Sequence, residues 1–425
     1  MKIKIRIRIS AIVIVLLALS MLYRINSVKV EWYMQYIFFA PIVVMGLIKY
    51  LNNRKRFSSS VAKSLFKSAM LPHVVAFIYT VVLLIFGLVQ SKYFSRCVSS
   101  TVQMLFIGLF VLSMLVLYGR ESVFIMIKAM VVSYLITLCM ALYGIGIAGM
   151  LAYIINPLTS IYTSWFEMHD LCLSIGLIVI FLLFCNIGDH SRWKNMAVVL
   201  IIMFLGYKRI SFLACVVACI FGFWVRKRAS AAQLAKLWFV AVAILMFCFA
   251  YTYICTTDVY SDLAARFSID TASRVKIYAN FRRYYDVSFA YLGQGVGFVT
   301  KILTILQQSR SFGVGGITAL HNDLLLQYIE LGFFGSILWF VYYIFRLPKK
   351  LKNRFGYKIE RLYYILLVYA FITYCSDNTM HYYIFQSTFF LILGSEVFSV
   401  IQSREGIVQQ ITMQERNAKK SDWQA

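Results

Sequence analysis

Three groups of polar side chains interrupt an otherwise apolar chain, and each has chemistry open to it. The first is His321 with Asn322, at the start of ALHNDLLLQYIELGFFGSILW over 319–339. An imidazole at the mouth of an apolar helix can serve as a general base on a hydroxyl, and a neighbouring amide can orient it. The same pair also reads as ordinary polar residues at a helix end. The second group is Lys208 with Arg209, in GYKRIS between two short apolar runs. Cations placed there form either an anion site or a solvated turn with snorkelling side chains. The third is Arg274, in TASRVKIYANFRRYY. At helical spacing Arg274, Ile277, Tyr278, Phe281 and Tyr285 share one face, with Thr271 or Ser273 as the cap. A guanidinium held against an apolar face favours an anionic partner, because it is costly to leave unpaired there.

Other groups offer less. The nine cysteines are odd in number, mostly inside apolar runs and free of any CxxC pairing. Cys215 and Cys219 lie one helical turn apart, but no His or carboxylate is near them in sequence. They read as small core residues, so no disulfide framework, metal site or cofactor is expected. LGQGVGF places Gly293, Gly295 and Gly297 in a GxGxG pattern without the strand and helix of a dinucleotide site. Such glycines let a backbone approach a surface or a ligand closely. Glu330 is nine residues beyond His321, about half a turn round a helix, so the two do not form a simple acid–base pair. Gly332 and Gly335 share a stripe with His321 and read as helix-packing positions. SDNTMHYY, with Asp377, Asn378 and His381, reads as a polar turn between two helices.

The elements that must position these groups are membrane helices. Of 425 residues, 61% are hydrophobic and 14% charged, far from the rough half and quarter of a soluble domain. Apolar runs near the length of a membrane span recur throughout, and a backbone in lipid must satisfy its own hydrogen bonds, which makes these runs helical. The alternation of a membrane barrel is absent. The net charge of +25 is the excess of Lys and Arg expected in cytoplasmic loops. No basic face interleaved with aromatics occurs, so nucleic acid is not an expected partner.

The expected fold is an all-α polytopic membrane protein with about 12 transmembrane helices. They fall near 9–23, 32–51, 70–90, 101–118, 122–144, 171–187, 195–206, 211–225, 237–255, 322–345, 361–375 and 384–402. Both termini are then cytoplasmic and every strong basic cluster falls on one side. A single membrane domain covers 1–425, with one large periplasmic loop at 256–320 that contains a short amphipathic helix, and a cytoplasmic tail at 403–425. The N-terminal MKIKIRIRISAIVIVLLALSMLYR is like a signal peptide but reads as a retained first helix.

HNDLLLQYIELGFFG follows the pattern His, then Asn, Ser or Gln, nine residues, Gly, two residues, Gly. It resembles the signature of the bacterial O-antigen ligase and O-antigen polymerase superfamily. YKRISFLA resembles that family's short-hairpin motif, with Arg209 in the place of its arginine; Lys208 stands where a small or hydroxyl residue is common. SRVKIYANFRRYY with LGQGVGF resembles the loop segment that carries a second arginine, at Arg274. SDNTMHYYIFQSTFFLILG resembles the final hairpin. The resemblance covers roughly residues 195–395.

It implies a metal-independent glycosyltransferase at the periplasmic face of the bacterial inner membrane, with an oligosaccharide on undecaprenyl diphosphate as donor. Arg209 and Arg274 would hold the diphosphate with Lys208 as helper. His321 would be the general base, or would position the acceptor hydroxyl, with Asn322 orienting it. Polymerisation of repeat units is the expected activity, with a chain-length regulator and membrane lipid as partners. A ligase that moves the glycan to lipid A-core is the alternative. A lipid-linked oligosaccharide flippase, from another class, would suit twelve helices. Against it stand a single late outer loop, no visible halves, and polar groups at helix mouths instead of the midplane.

Overall fold

The structure is a computed structural model and describes residues 2–22, 34–53, 57–157, 162–185, 191–227, 237–255, 257–267, 274–308 and 319–422. Thr271 and Ser273, the expected caps, lie outside these. The described regular elements are all helical. They run α1 (Lys2–Met21), α2 (Met34–Asn52), α3 (Phe57–Ile85), α4 (Phe94–Tyr118), α5 (Ser122–Ile155), α6 (Thr163–Phe166), α7 (His169–Phe184), α8 (Arg192–Gly206) and α9 (Arg209–Lys227). Then follow α10 (Leu237–Cys255), α11 (Asp258–Arg266), α12 (Arg274–Phe281), α13 (Phe298–Gln308), α14 (Asp323–Val341), α15 (Leu347–Phe355), α16 (Tyr357–Tyr374) and α17 (Tyr383–Asp422).

Each of the twelve expected helices has a counterpart, but among the described residues seven stretches are long and apolar enough to cross a membrane. The difference has physical causes. Helices α4 and α5 form one apolar stretch, and the apolar stretches of α1 and α7 are short, at Ile9–Met21 and Asp170–Phe184. Helix α8 has only 15 residues, and α16 opens on Lys358, Glu360 and Arg361. Several boundaries also differ: α1 begins at Lys2, α4 at Phe94, and α17 runs on to Asp422 through the expected tail. Helix α3 begins at Phe57, well before residue 70. Helix α5 continues to Ile155 through a break at Gly146, where φ is 68°.

Helix α16 is buried along most of its length and packs on α7, α9, α10 and α15. Lipid tails are as apolar as leucine, so packing and internal hydrogen bonds hold such helices together. The Tyr369 hydroxyl donates to the Leu173 carbonyl (2.5 Å) and also meets Ser211 Oγ (2.8 Å), which ties α16, α7 and α9 at one level. Gly176 makes room for that ring: a Cβ there would lie 2.4 Å from it.

Among the described residues the stretch at 256–320 holds three short helices, α11, α12 and α13, where one was expected. It folds back over the helix ends as a second core, in which Ile277, Tyr278, Phe281, Phe298 and Ile302 pack with Leu325 and Ile329 of α14. The joint is Gly332. There α14 breaks, with φ 69° and ψ −171°. The break frees two carbonyls. Ile329 O accepts from Gln294 N and Glu330 O from Gly295 N, both at 2.9 Å, while Phe333 N donates to Tyr291 O at 2.8 Å. A Cβ on Gly332 would sit 2.2 Å from the Leu292 carbonyl carbon. Gly332 therefore admits the backbone of a loop, and its reading as a helix-packing position is corrected. A Cβ on Gly335 would lie 3.8 Å from Tyr79 of α3, an ordinary contact. Glu330 also finds its partners here. Its Oε1 accepts from the N–H groups of Gly297 (3.0 Å) and Val299 (3.2 Å), orphan donors at the start of α13.

Candidate active site

The turn at 375–382, between α16 and α17, is where the polar groups meet. It is held from several elements. Arg274 of α12 donates from Nη2 to Ser376 O (3.0 Å). The buried Asp323 of α14 accepts from Met380 N (2.7 Å). Gln103 of α4 donates to His381 O (3.1 Å). From the fixed turn, Asp377 and Asn378 reach His321. Asn378 Oδ1 accepts the His321 backbone N–H (3.0 Å), and the Tyr278 hydroxyl donates to the His321 carbonyl (3.3 Å). So clamped, His321 adopts φ 55°; Tyr207, directly before Lys208, has φ 36°. Among the described residues these are the only non-glycine positions with positive φ. Strain of this kind persists where surrounding structure enforces it, and it concentrates at functional sites.

The side chains form a charged chain. Glu167 Oε1 meets Lys208 Nζ at 2.7 Å, Lys208 Nζ meets Asp377 Oδ2 at 3.3 Å, and Asp377 Oδ1 faces His321 Nδ1 at 3.4 Å. Tyr382 donates to the same Asp377 oxygen at 2.7 Å. The last contact to His321 is long for a hydrogen bond, as catalytic contacts often are before a substrate tightens them. Burial works against the charge on Lys208, but Asp377 and Glu167 outweigh it and hold the ammonium above the ordinary lysine range. Asp377 is buried (1% exposed) whereas the His321 side chain is 31% exposed. The imidazole thus turns Nδ1 to a buried carboxylate and leaves Nε2 for a ligand. The neighbouring His381 is half-buried in the turn, and the loss of solvent around its ring pushes the imidazole down to about 4.

The sequence-predicted residues divide. His321, Lys208 and Arg274 converge on the 375–382 turn. Arg274 is half-buried on the face expected for it, and among the described residues its Nε has no hydrogen-bond partner. Arg209 opens α9 with an exposed side chain. Asn322 does not orient the imidazole. It is the N-cap of α14, accepting from Leu325 N (3.0 Å) and donating to Thr252 Oγ1 (3.1 Å). Asp377 has the orienting position instead.

Sequence reasoning passed over Asp377 and Tyr382 as parts of a turn, and Glu167 altogether. An isolated carboxylate between apolar runs was the one signal available for Glu167. Near it lies an apolar cavity of about 660 Å³. Leu135, Cys139, Tyr143 and Gly144 of α5 line it together with Trp165, two residues before Glu167. Among the described residues no group of three or more His, Cys, Asp and Glu side chains assembles into a cluster able to hold a metal.

Residues 195–340 match the family described as O-antigen ligase, about a third of the chain. Over that segment the match supports the likeness to the O-antigen polymerase and ligase superfamily. The matched segment holds Lys208, Arg209, Arg274 and His321, whereas Glu167 and Asp377 lie outside it. No curated protein matches the chain.

Proposed function

We propose that the chain is a glycosyltransferase that joins oligosaccharide repeat units carried on undecaprenyl diphosphate, at the periplasmic face of a bacterial inner membrane. The observation that carries this reading is the unbroken chain Glu167–Lys208–Asp377–His321, met from α12 by Arg274. In the reaction His321 Nε2 takes the proton of an acceptor hydroxyl. That oxygen forms a bond to the anomeric carbon of the donor, and the bond from this carbon to the lipid diphosphate breaks. Asp377 holds Nδ1 protonated and stabilises the imidazolium that forms, as the carboxylate of any base-orienting pair does. The departing diphosphate gains charge, which Arg274, Lys208 and the exposed Arg209 are suited to hold; guanidinium groups match phosphate oxygens in pairs. The apolar cavity beside Trp165 suits the prenyl chain.

Transfer to lipid A-core would use the same groups with a different acceptor, and the match to a family described as O-antigen ligase favours keeping that reading beside the first. A chain-length regulator would be a partner of the polymerase alone. The test is His321→Ala in cells and in purified protein. Loss of polymer with normal membrane insertion is expected, and unchanged polymer would sink the assignment. Deletion of the protein separates the two acceptors. Core bearing one repeat unit identifies a polymerase, and bare core a ligase.

A further inference from the structure

A second cation-lined cavity lies at the far end of the helices that carry the candidate site. Its volume is about 170 Å³. Helix α9 starts beside Lys208 and reaches this cavity at Arg226, while α16 enters it at Lys358 and Arg361 and ends just before Asp377. At a rise of about 1.5 Å per residue these spans are each roughly 25 Å, close to the thickness of the hydrocarbon layer. The cavity therefore opens at the opposite membrane face from His321.

Its floor is apolar, with Phe184, Val225 and Ile365 among the lining residues. Its rim carries Arg226, Lys358 and Arg361 against a single carboxylate, Glu396. Lys358 is paired with Glu396, which is buried on α17. Arg226 is exposed and Arg361 half-buried, and neither makes an ion pair or hydrogen bond with a described residue. Among the described residues two guanidinium groups are thus left over in this pocket without an anion of their own. Beside Arg226, α9 also turns Ile220 (65% exposed) and Phe223 (47% exposed) outward, a face made for acyl chains.

We infer that this cavity binds the headgroup phosphate of an anionic phospholipid from the leaflet opposite the candidate active site. The phosphate diester lies between Arg226 and Arg361, and its acyl chain follows the outward face of α9. Basic pockets between membrane helices bind lipid headgroups in this way. A soluble phosphate would meet the same two cations but would have no use for the apolar floor and flank.

The experiment uses the full chain in detergent and reads thermal unfolding. The probes are phosphatidylglycerol, phosphatidylcholine and inorganic phosphate. Phosphatidylglycerol should raise the midpoint by several degrees above phosphatidylcholine, and millimolar phosphate should not reproduce the rise. Each cation near an anionic headgroup is worth roughly fivefold in affinity, so Arg226→Gln with Arg361→Gln should weaken the lipid response about thirtyfold. Equal responses to the two lipids, full reproduction by inorganic phosphate, or an unchanged response in the double variant would each overturn the inference. If the double variant fails to fold, Arg361→Gln alone and the wild-type lipid comparison decide it on the same terms.

Discussion

Asp377→Asn is the substitution that tests the site most directly. The amide has the shape of the carboxylate, and its oxygen can still accept from Tyr382 (2.7 Å) and from the Asn378 N–H (2.9 Å). The turn should therefore keep its conformation. Lys208 also keeps Glu167 at 2.7 Å, so its ammonium stays paired. What disappears is the negative charge 3.4 Å from His321 Nδ1. A hydrogen bond to a charged partner contributes about 1.5–3 kcal/mol. If that stabilisation belongs to the imidazolium formed during proton transfer, turnover should drop roughly 10- to 150-fold, at about 1.4 kcal/mol per tenfold. The assay is the initial rate of lipid diphosphate release by purified protein supplied with lipid-linked repeat units. Tyr382→Phe is the control, since it removes a neutral donor to the same oxygen and should cost less than about tenfold. Turnover of Asp377→Asn within threefold of wild type, while His321→Ala is dead, would refute the orienting role. Equal losses in Asp377→Asn and Tyr382→Phe would make Asp377 a strut of the turn.

The other predictions concern charge and burial around this site. Lys208→Gln should raise the KM for donor at least tenfold, and Arg209→Gln by less, because Lys208 is enclosed between Glu167 and Asp377 whereas Arg209 is exposed; donor titrations of the two variants give the order. Glu330→Leu strands the N–H groups of Gly297 and Val299, at about 1–3 kcal/mol each. Glu330→Gln keeps an acceptor and should lose far less, a contrast that unfolding midpoints measure. His381 titrates near 6.5 when unfolded and at about 4 when folded. Between those values the unfolded state binds more protons, so stability is full above pH ~6.5 and falls by up to about 3 kcal/mol as pH drops to ~4. His381→Asn should flatten that slope in denaturation curves taken across the range.

Helices were legible in the sequence because apolar run length is a local property. Their ends were less so, since α3 and α5 extend beyond their apolar centres and only packing decides where they stop. The apolar face of α12 was also legible, because Ile277, Tyr278 and Phe281 follow helical spacing and all are buried. The charged chain was not. Glu167 and Lys208 are 41 residues apart, and His321 and Asp377 are 56 apart. No spacing rule connects such positions; only folding does. Asn322 shows the opposite failure. Its place beside His321 invited a shared role, but the residue before a helix has its own task, and the side chain is used up as the cap of α14.

Gly332 shows how the cap over the helix ends and the site depend on one another. An unbroken helix would keep the carbonyls of Ile329 and Glu330 within its own ladder, and the 291–297 segment would have nothing to bond. The break exposes both, and Gln294 and Gly295 take them. The Glu330 side chain then fixes the start of α13, and α12 packs with α13 in one core. Arg274 and Tyr278 both ride on α12. One reaches the 375–382 turn at Ser376, and the other holds the His321 carbonyl. A glycine eleven residues beyond His321 in sequence therefore sets the position of the guanidinium proposed to meet the diphosphate. Glu330, which shares no helix face with His321, acts on the site by the same route, by seating the loop helices.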